Sequence, residues 1–257
     1  MATSVLKLMM AALCIASVCS HIPGSIGPYP TKYDTVHVGG YIAEFGLIQD
    51  AIIFYPDTTE EGPFPIVVLA HGMFNGGEGV RSSYSVTMDS VASFGYIVMA
   101  PMSCKYLWCE FFDRDVYHTL EVAFENPSLH PALAKADYNS TALMGHSMGG
   151  DAVTRVSTWA ESVSKYHLKA TAGLMPAVEV DPLTSDTEIK VPYFFVAGSA
   201  DDVISSSRVH TAYEKDPNSY KAFVTYKGAD HNDPTNLGHM HQLGFMIQFF
   251  ECHTKGN

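Results

Sequence analysis

The residues best suited to chemistry are Gly145-His146-Ser147-Met148-Gly149-Gly150, a G-x-S-x-G pattern that holds a serine hydroxyl between glycines. Such spacing serves a strand that turns straight into a helix. The turn leaves no room for side chains at Gly145 and Gly149, and it exposes Ser147 at its tip. The helix N-terminus beneath favours developing negative charge. A serine hydroxyl is a poor nucleophile until a base takes its proton, so the pattern calls for partners elsewhere in the chain.

Three further clusters supply them. Among twelve histidines, His231 stands in Lys227-Gly-Ala-Asp-His231-Asn-Asp-Pro, a flexible loop that follows an apolar run and lets an imidazole reach toward Ser147. A carboxylate must hold the other ring nitrogen, fixing the tautomer and stabilising the imidazolium. Asp201 and Asp202, in Gly198-Ser-Ala-Asp201-Asp202-Val-Ile, are the candidates, and either completes the chain order Ser, Asp, His. His71-Gly72-Met73-Phe74-Asn75-Gly76-Gly77 offers main-chain donors for an oxyanion, assigned here to the amides of Met73 and Met148, with Gly72 forming the turn.

These clusters need a scaffold that brings strand ends together. Apolar runs at Ala51–Tyr55, Pro65–Ala70, Tyr96–Ala100, Thr141–Met144, Ala170–Leu174, Val191–Ala197 and Ala222–Tyr226 read as strands. Between and after them, Ser82–Ser93, Asp113–Glu125, Gly150–Ser162, Ser207–Glu214 and Gly238–Phe250 have helical character. Continuous apolar strands alternating with helices predict an α/β fold with a mainly parallel sheet covered on both faces. Thr35–Val38 and Ala51–Tyr55 are expected to begin it as an antiparallel pair. Sites in such sheets lie at the carboxyl ends of the strands, where all four clusters fall.

The chain of 257 residues is 47% hydrophobic and 16% charged, which suits one globular domain. A charged start, the apolar stretch Leu8–Val18 and small residues after it outline a secretory signal peptide over residues 1–20, leaving 21–257 as a single catalytic domain. No stretch is apolar for long enough to span a membrane comfortably. The net charge of −12 argues against nucleic acid as a partner. Neither C-x-x-C nor H-E-x-x-H occurs, so spacing supports no zinc site, and no cofactor is expected. In an oxidising compartment Cys104 and Cys109 could close a small loop, with Cys252 free or paired elsewhere. Asn139-Ser140-Thr141 is a potential glycosylation acceptor.

Taken together these motifs resemble the α/β-hydrolase superfamily, and within it the cutinase and polyester-hydrolase (dienelactone-hydrolase-like) type of esterase. Gly145-His-Ser-Met-Gly-Gly150 is similar to the elbow of bacterial cutinases, Ala197–Ile204 resembles their acid loop, and Gly228-Ala-Asp-His231 resembles their histidine loop. The resemblance implies an α/β-hydrolase fold. It also implies an acid four residues after the glycine, which selects Asp202 over Asp201; His210 further on keeps the same register. Chlorophyllases, platelet-activating-factor acetylhydrolases and lipases are similar relatives. The chain departs from the cutinase pattern where Ala177 stands for a substrate-stacking tryptophan, Ser206 for a proline, and Cys252 for paired terminal cysteines.

The expectation is therefore a secreted, monomeric serine carboxylesterase. Ser147 attacks the ester, His231 moves the proton, Asp202 orients His231, and the Met73 and Met148 amides hold the oxyanion. Met73, Phe74 and Met148 would line an apolar acyl cleft, and Gly72, Phe74 and Ala177 would contact a small-molecule, lipid or polymeric ester. The alternatives are a peptidase and a non-catalytic binding protein of the same fold.

Overall fold

A computed structural model describes residues 26–39, 50–60, 62–105, 109–178, 188–235 and 240–256. The proposed signal peptide lies outside them. The apolar runs form β1 (Thr31–His37), β2 (Asp50–Pro56), β3 (Phe64–Ala70), β4 (Ile97–Pro101), β5 (Ala136–His146), β6 (Leu168–Leu174), β7 (Tyr193–Gly198) and β8 (Lys221–Tyr226). They join in one sheet, ordered β1-β2-β4-β3-β5-β6-β7-β8. The β1/β2 and β2/β4 pairs are antiparallel, and every pairing from β4 to β8 is parallel.

The two faces of the sheet follow from side-chain alternation along each strand. On β3, Val67 and Leu69 join a core with Met88 and Val91 of helix α1 (Glu78–Ser93) and with Met246 and Phe250 of the C-terminal helix. Val68 and Ala70 point the other way. They pack with Phe112 and Val116 of α2 (Phe112–Glu125) and with Val153 and Val156 of α3 (Met148–Thr158). Central β3 is buried at every residue, whereas edge strand β1 alternates little and is mostly exposed. Helices α4 (Ala160–Ser164), α5 (Ser206–Lys215) and the C-terminal α6 (Met240–Thr254) complete the layers.

Two elements differ from the apolar pattern. β5 begins at Ala136, before the apolar stretch, because its polar first half pairs with Phe64 and Pro65 before a register shift between Pro65 and Ile66. The helix expected over Gly150–Ser162 breaks at Trp159, whose extended backbone (φ −81°, ψ 126°) accompanies edge-on packing against Tyr117. Cys104 and Cys109 are joined in a disulfide with Cα atoms 5.8 Å apart, and Cys252 is also disulfide-bonded.

At the end of α5, burial pushes the Asp216 carboxyl up to about 6. Its Oδ1 accepts the Asn218 amide at 3.1 Å, while Oδ2 is buried with no hydrogen-bond partner among the described residues. A carboxyl raised above its unfolded value binds its proton more tightly in the folded chain. Its contribution is therefore fully present below the ordinary carboxylate range and is lost as pH rises through about 6. Asp216→Asn removes this buried charge. Its melting temperature is expected to exceed the parent's by more at pH 8 than at pH 5, and thermal melts of both proteins at the two values check this. A pH-independent difference would contradict it.

Candidate active site

The turn between β5 and α3 is built around Ser147, which holds φ 54°, ψ −119°, a conformation that a side-chain-bearing residue adopts only when its surroundings enforce it. The enforcement is steric. A Cβ at Gly145 would stand 2.2 Å from the Gly149 carbonyl oxygen, and one at Gly149 would stand 2.1 Å from the oxygen of Ala70 at the end of β3. Strand β5, strand β3 and helix α3 thus meet through bare backbone. The Ser147 amide donates to Leu174 at 3.1 Å, and its carbonyl accepts the Ala177 amide at 2.9 Å, which ties the turn to the end of β6.

The hydroxyl of Ser147 lies 2.9 Å from Nε2 of His231, and Nδ1 of His231 lies 2.9 Å from Oδ2 of Asp201. With Nδ1 donating to the carboxylate, Nε2 is left to accept the serine proton, the arrangement a general base needs. The structure corrects the choice of Asp202. Asp201, not Asp202, faces the imidazole, and its side chain is wholly buried while Asp202 is exposed.

The reason lies in the turn that ends β7. The amides of Val203 and Ile204 donate to Asp201 Oδ1 at 2.9 and 2.7 Å, and the Ala200 amide donates to Ala229 in the histidine loop at 2.9 Å. These bonds fold the loop around the Asp201 carboxylate and leave the next residue facing solvent. A count from Gly198 misses this, because the turn rather than the spacing decides which side chain points inward.

The donor loop after β3 is braced from several sides. Asn75 donates its amide to the Gly72 carbonyl at 3.2 Å and receives the Ser83 hydroxyl at 2.8 Å, and the Gly77 amide donates to Met102 at 2.7 Å. Gly76 must be glycine, since a Cβ there would lie 2.2 Å from the Ser103 carbonyl oxygen. His71 is buried beneath, with its ring nitrogens 2.8 Å from the carbonyl oxygens of Gly72 and Ser103. Burial holds its imidazole below the ordinary histidine range.

Of the residues expected to contact substrate, Met73 and Phe74 are exposed on this loop, and Phe74 has φ 68°. Ala177 is buried at the end of β6, bonded to the serine carbonyl. The Met148 side chain is in the core rather than in a cleft, with Sδ 3.4 Å from the Cys109 amide. Its own amide opens α3, a position that helix geometry leaves without an intrahelical acceptor. Two residues that sequence reasoning passed over, Tyr84 and His146, are buried directly under the site. The signal for His146 was its place inside the serine motif, where a polar ring at the end of a buried strand needs partners for both nitrogens. Among the described residues, no three His, Cys, Asp or Glu side chains group as a metal site, and no helix is long and apolar enough to cross a membrane.

The parallel sheet with an antiparallel start, and a serine turn between its fifth strand and the following helix, define an α/β hydrolase. Residues 25–190 match the family model of the chlorophyllases. The chain belongs to the chlorophyllase family, an esterase family of α/β-hydrolase type. It is similar to Chlorophyllase-1 of Arabidopsis thaliana, with 34% identity over 96 residues, 36% of this chain and 28% of that protein. The aligned stretch thus spans little more than a quarter of that relative's length. The family match takes in Ser147 and the donor loop but stops before Asp201 and His231, whose placement rests on the geometry alone.

Proposed function

We propose that this protein is a serine ester hydrolase that works through an acyl-enzyme on Ser147. The observation that carries the reading is the His231 imidazole held 2.9 Å from both the Ser147 hydroxyl and the Asp201 carboxylate. His231 takes the serine proton as the oxygen attacks the ester carbonyl, and Asp201 stabilises the imidazolium that results. The amides of Met73 and Met148 receive the oxyanion, which needs donors fixed in advance where the charge develops. The imidazolium then protonates the departing alcohol. Water, deprotonated by the same ring, releases the acid and restores Ser147.

Family membership favours an ester of the kind named by Chlorophyllase-1 over a polyester. Chlorophyll carries a long-chain ester on a large, flat, apolar ring, and the exposed Met73 and Phe74 on the donor loop suit such a substrate. The secretory leader over residues 1–20 belongs to the same reading and places the enzyme outside the cytoplasm.

A panel of chlorophyll in detergent micelles, short-chain nitrophenyl esters and a polyester film tests this. Release of a water-soluble chlorophyll acid is expected, with slower or absent release from the film. Turnover of nitrophenyl esters alone would support a general carboxylesterase. No turnover of any ester would support the non-catalytic alternative.

A further inference from the structure

Beneath the site, three hydrogen bonds join four polar groups in an unbroken chain. The Gly72 amide donates to the Tyr84 hydroxyl oxygen at 2.8 Å, that hydroxyl lies 2.7 Å from Nδ1 of His146, and Nε2 of His146 lies 2.7 Å from the His231 carbonyl oxygen. The two ends and a neutral imidazole between them fix the direction of every bond. An amide can only donate and a carbonyl can only accept, so His146 carries a proton on Nε2; Nδ1 of the neutral ring then has none, and Tyr84 gives its one proton to it. Burial, reinforced by the neighbouring His231 ring, holds His146 down to about 3.

The chain crosses three separate catalytic segments: the donor loop at Gly72, the serine turn at His146 and the base loop at His231. It also explains why residue 72 is glycine, since a Cβ there would lie 2.9 Å from His146 Nδ1 and 3.1 Å from the Tyr84 oxygen. Helix α1 adds a second tie to the base loop, because Thr87, one turn beyond Tyr84, donates to the Pro234 carbonyl at 2.9 Å. All three bonds are buried, so a link lost by substitution leaves an unpaired polar group in a low-dielectric setting.

We propose that Tyr84 and His146 are positioning residues that lock the oxyanion-donor loop and the base loop into one register about Ser147. The inference rests on the serine-esterase reading above. Its effect falls on the transition state, because the ground-state ester depends little on where the donor amide and imidazole sit to within a few tenths of an ångström, whereas the oxyanion and the moving proton depend on both.

The test is a kinetic cycle on a nitrophenyl ester with kcat taken per folded molecule, folding being checked by near-UV circular dichroism. Tyr84→Phe is expected to lower kcat about 10- to 50-fold with KM within about twofold. His146→Leu should lower it at least as far. His146→Gln, which keeps a donor toward His231 and an acceptor toward Tyr84, should restore most of it. The double variant Tyr84→Phe/His146→Leu should be no slower than His146→Leu, since one break already opens the chain. Unchanged kcat in the singles, multiplicative losses in the double, or no rescue by glutamine would overturn the proposal. Absence of any Ser147-dependent turnover in the parent would instead overturn the esterase reading itself.

Discussion

Replacing Ser147 with alanine is expected to lower ester hydrolysis by at least about 10⁴-fold while leaving the fold intact. The loss follows from chemistry with no substitute nearby. The acyl-enzyme needs an oxygen at the tip of the β5–α3 turn, within reach of His231 Nε2, and alanine offers none. The fold should survive because Ser147 is held through its backbone: its amide bonds Leu174 and its carbonyl bonds Asp151 and Ala177, and alanine keeps all three. Ser147 is only half-buried and its backbone bonds are unchanged, so the melting temperature should stay within a few degrees of the parent. Activity on a short-chain nitrophenyl ester, measured beside a thermal melt, separates a lost nucleophile from a lost structure.

Asp201→Asn should lower kcat by about 10³- to 10⁴-fold, while Asp202→Asn stays within about twofold of the parent. The difference comes from what holds the carboxylate. Asp201 Oδ1 accepts two amides, from Val203 and Ile204, so an asparagine must place its carbonyl there and turn its NH₂ group toward His231. A donor facing Nδ1 forces the imidazole proton onto Nε2, where it blocks acceptance of the serine proton. The exposed Asp202 has no such consequence. Steady-state kinetics of the two variants decide the matter, and equal losses would contradict the assignment of Asp201.

Much of the architecture was legible because the central strands are buried on both faces and therefore apolar throughout; Phe64–Ala70 shows this most plainly. The first half of β5, Ala136–Ser140, was not legible, since its polar side chains give no signal and only pairing with β3 makes it a strand. The serine turn could be read locally because the glycines that let Ser147 adopt its strained backbone are adjacent in sequence. Choosing between Asp201 and Asp202 could not, because that depends on amides that fold around one carboxylate only after the chain turns. The same holds for Tyr84 and His146: 62 residues apart, they are joined by a bond that neither flanking sequence announces.

The central claim is that Ser147 is an activated nucleophile, and covalent labelling addresses it most directly. The folded protein is treated with a fluorophosphonate probe, digested, and the adduct mapped by mass spectrometry, in the parent and in the two aspartate variants. One adduct per molecule on Ser147 is expected, formed quickly in the parent and in Asp202→Asn and far more slowly in Asp201→Asn. A folded parent that takes no label, or takes it on another residue, would contradict the account.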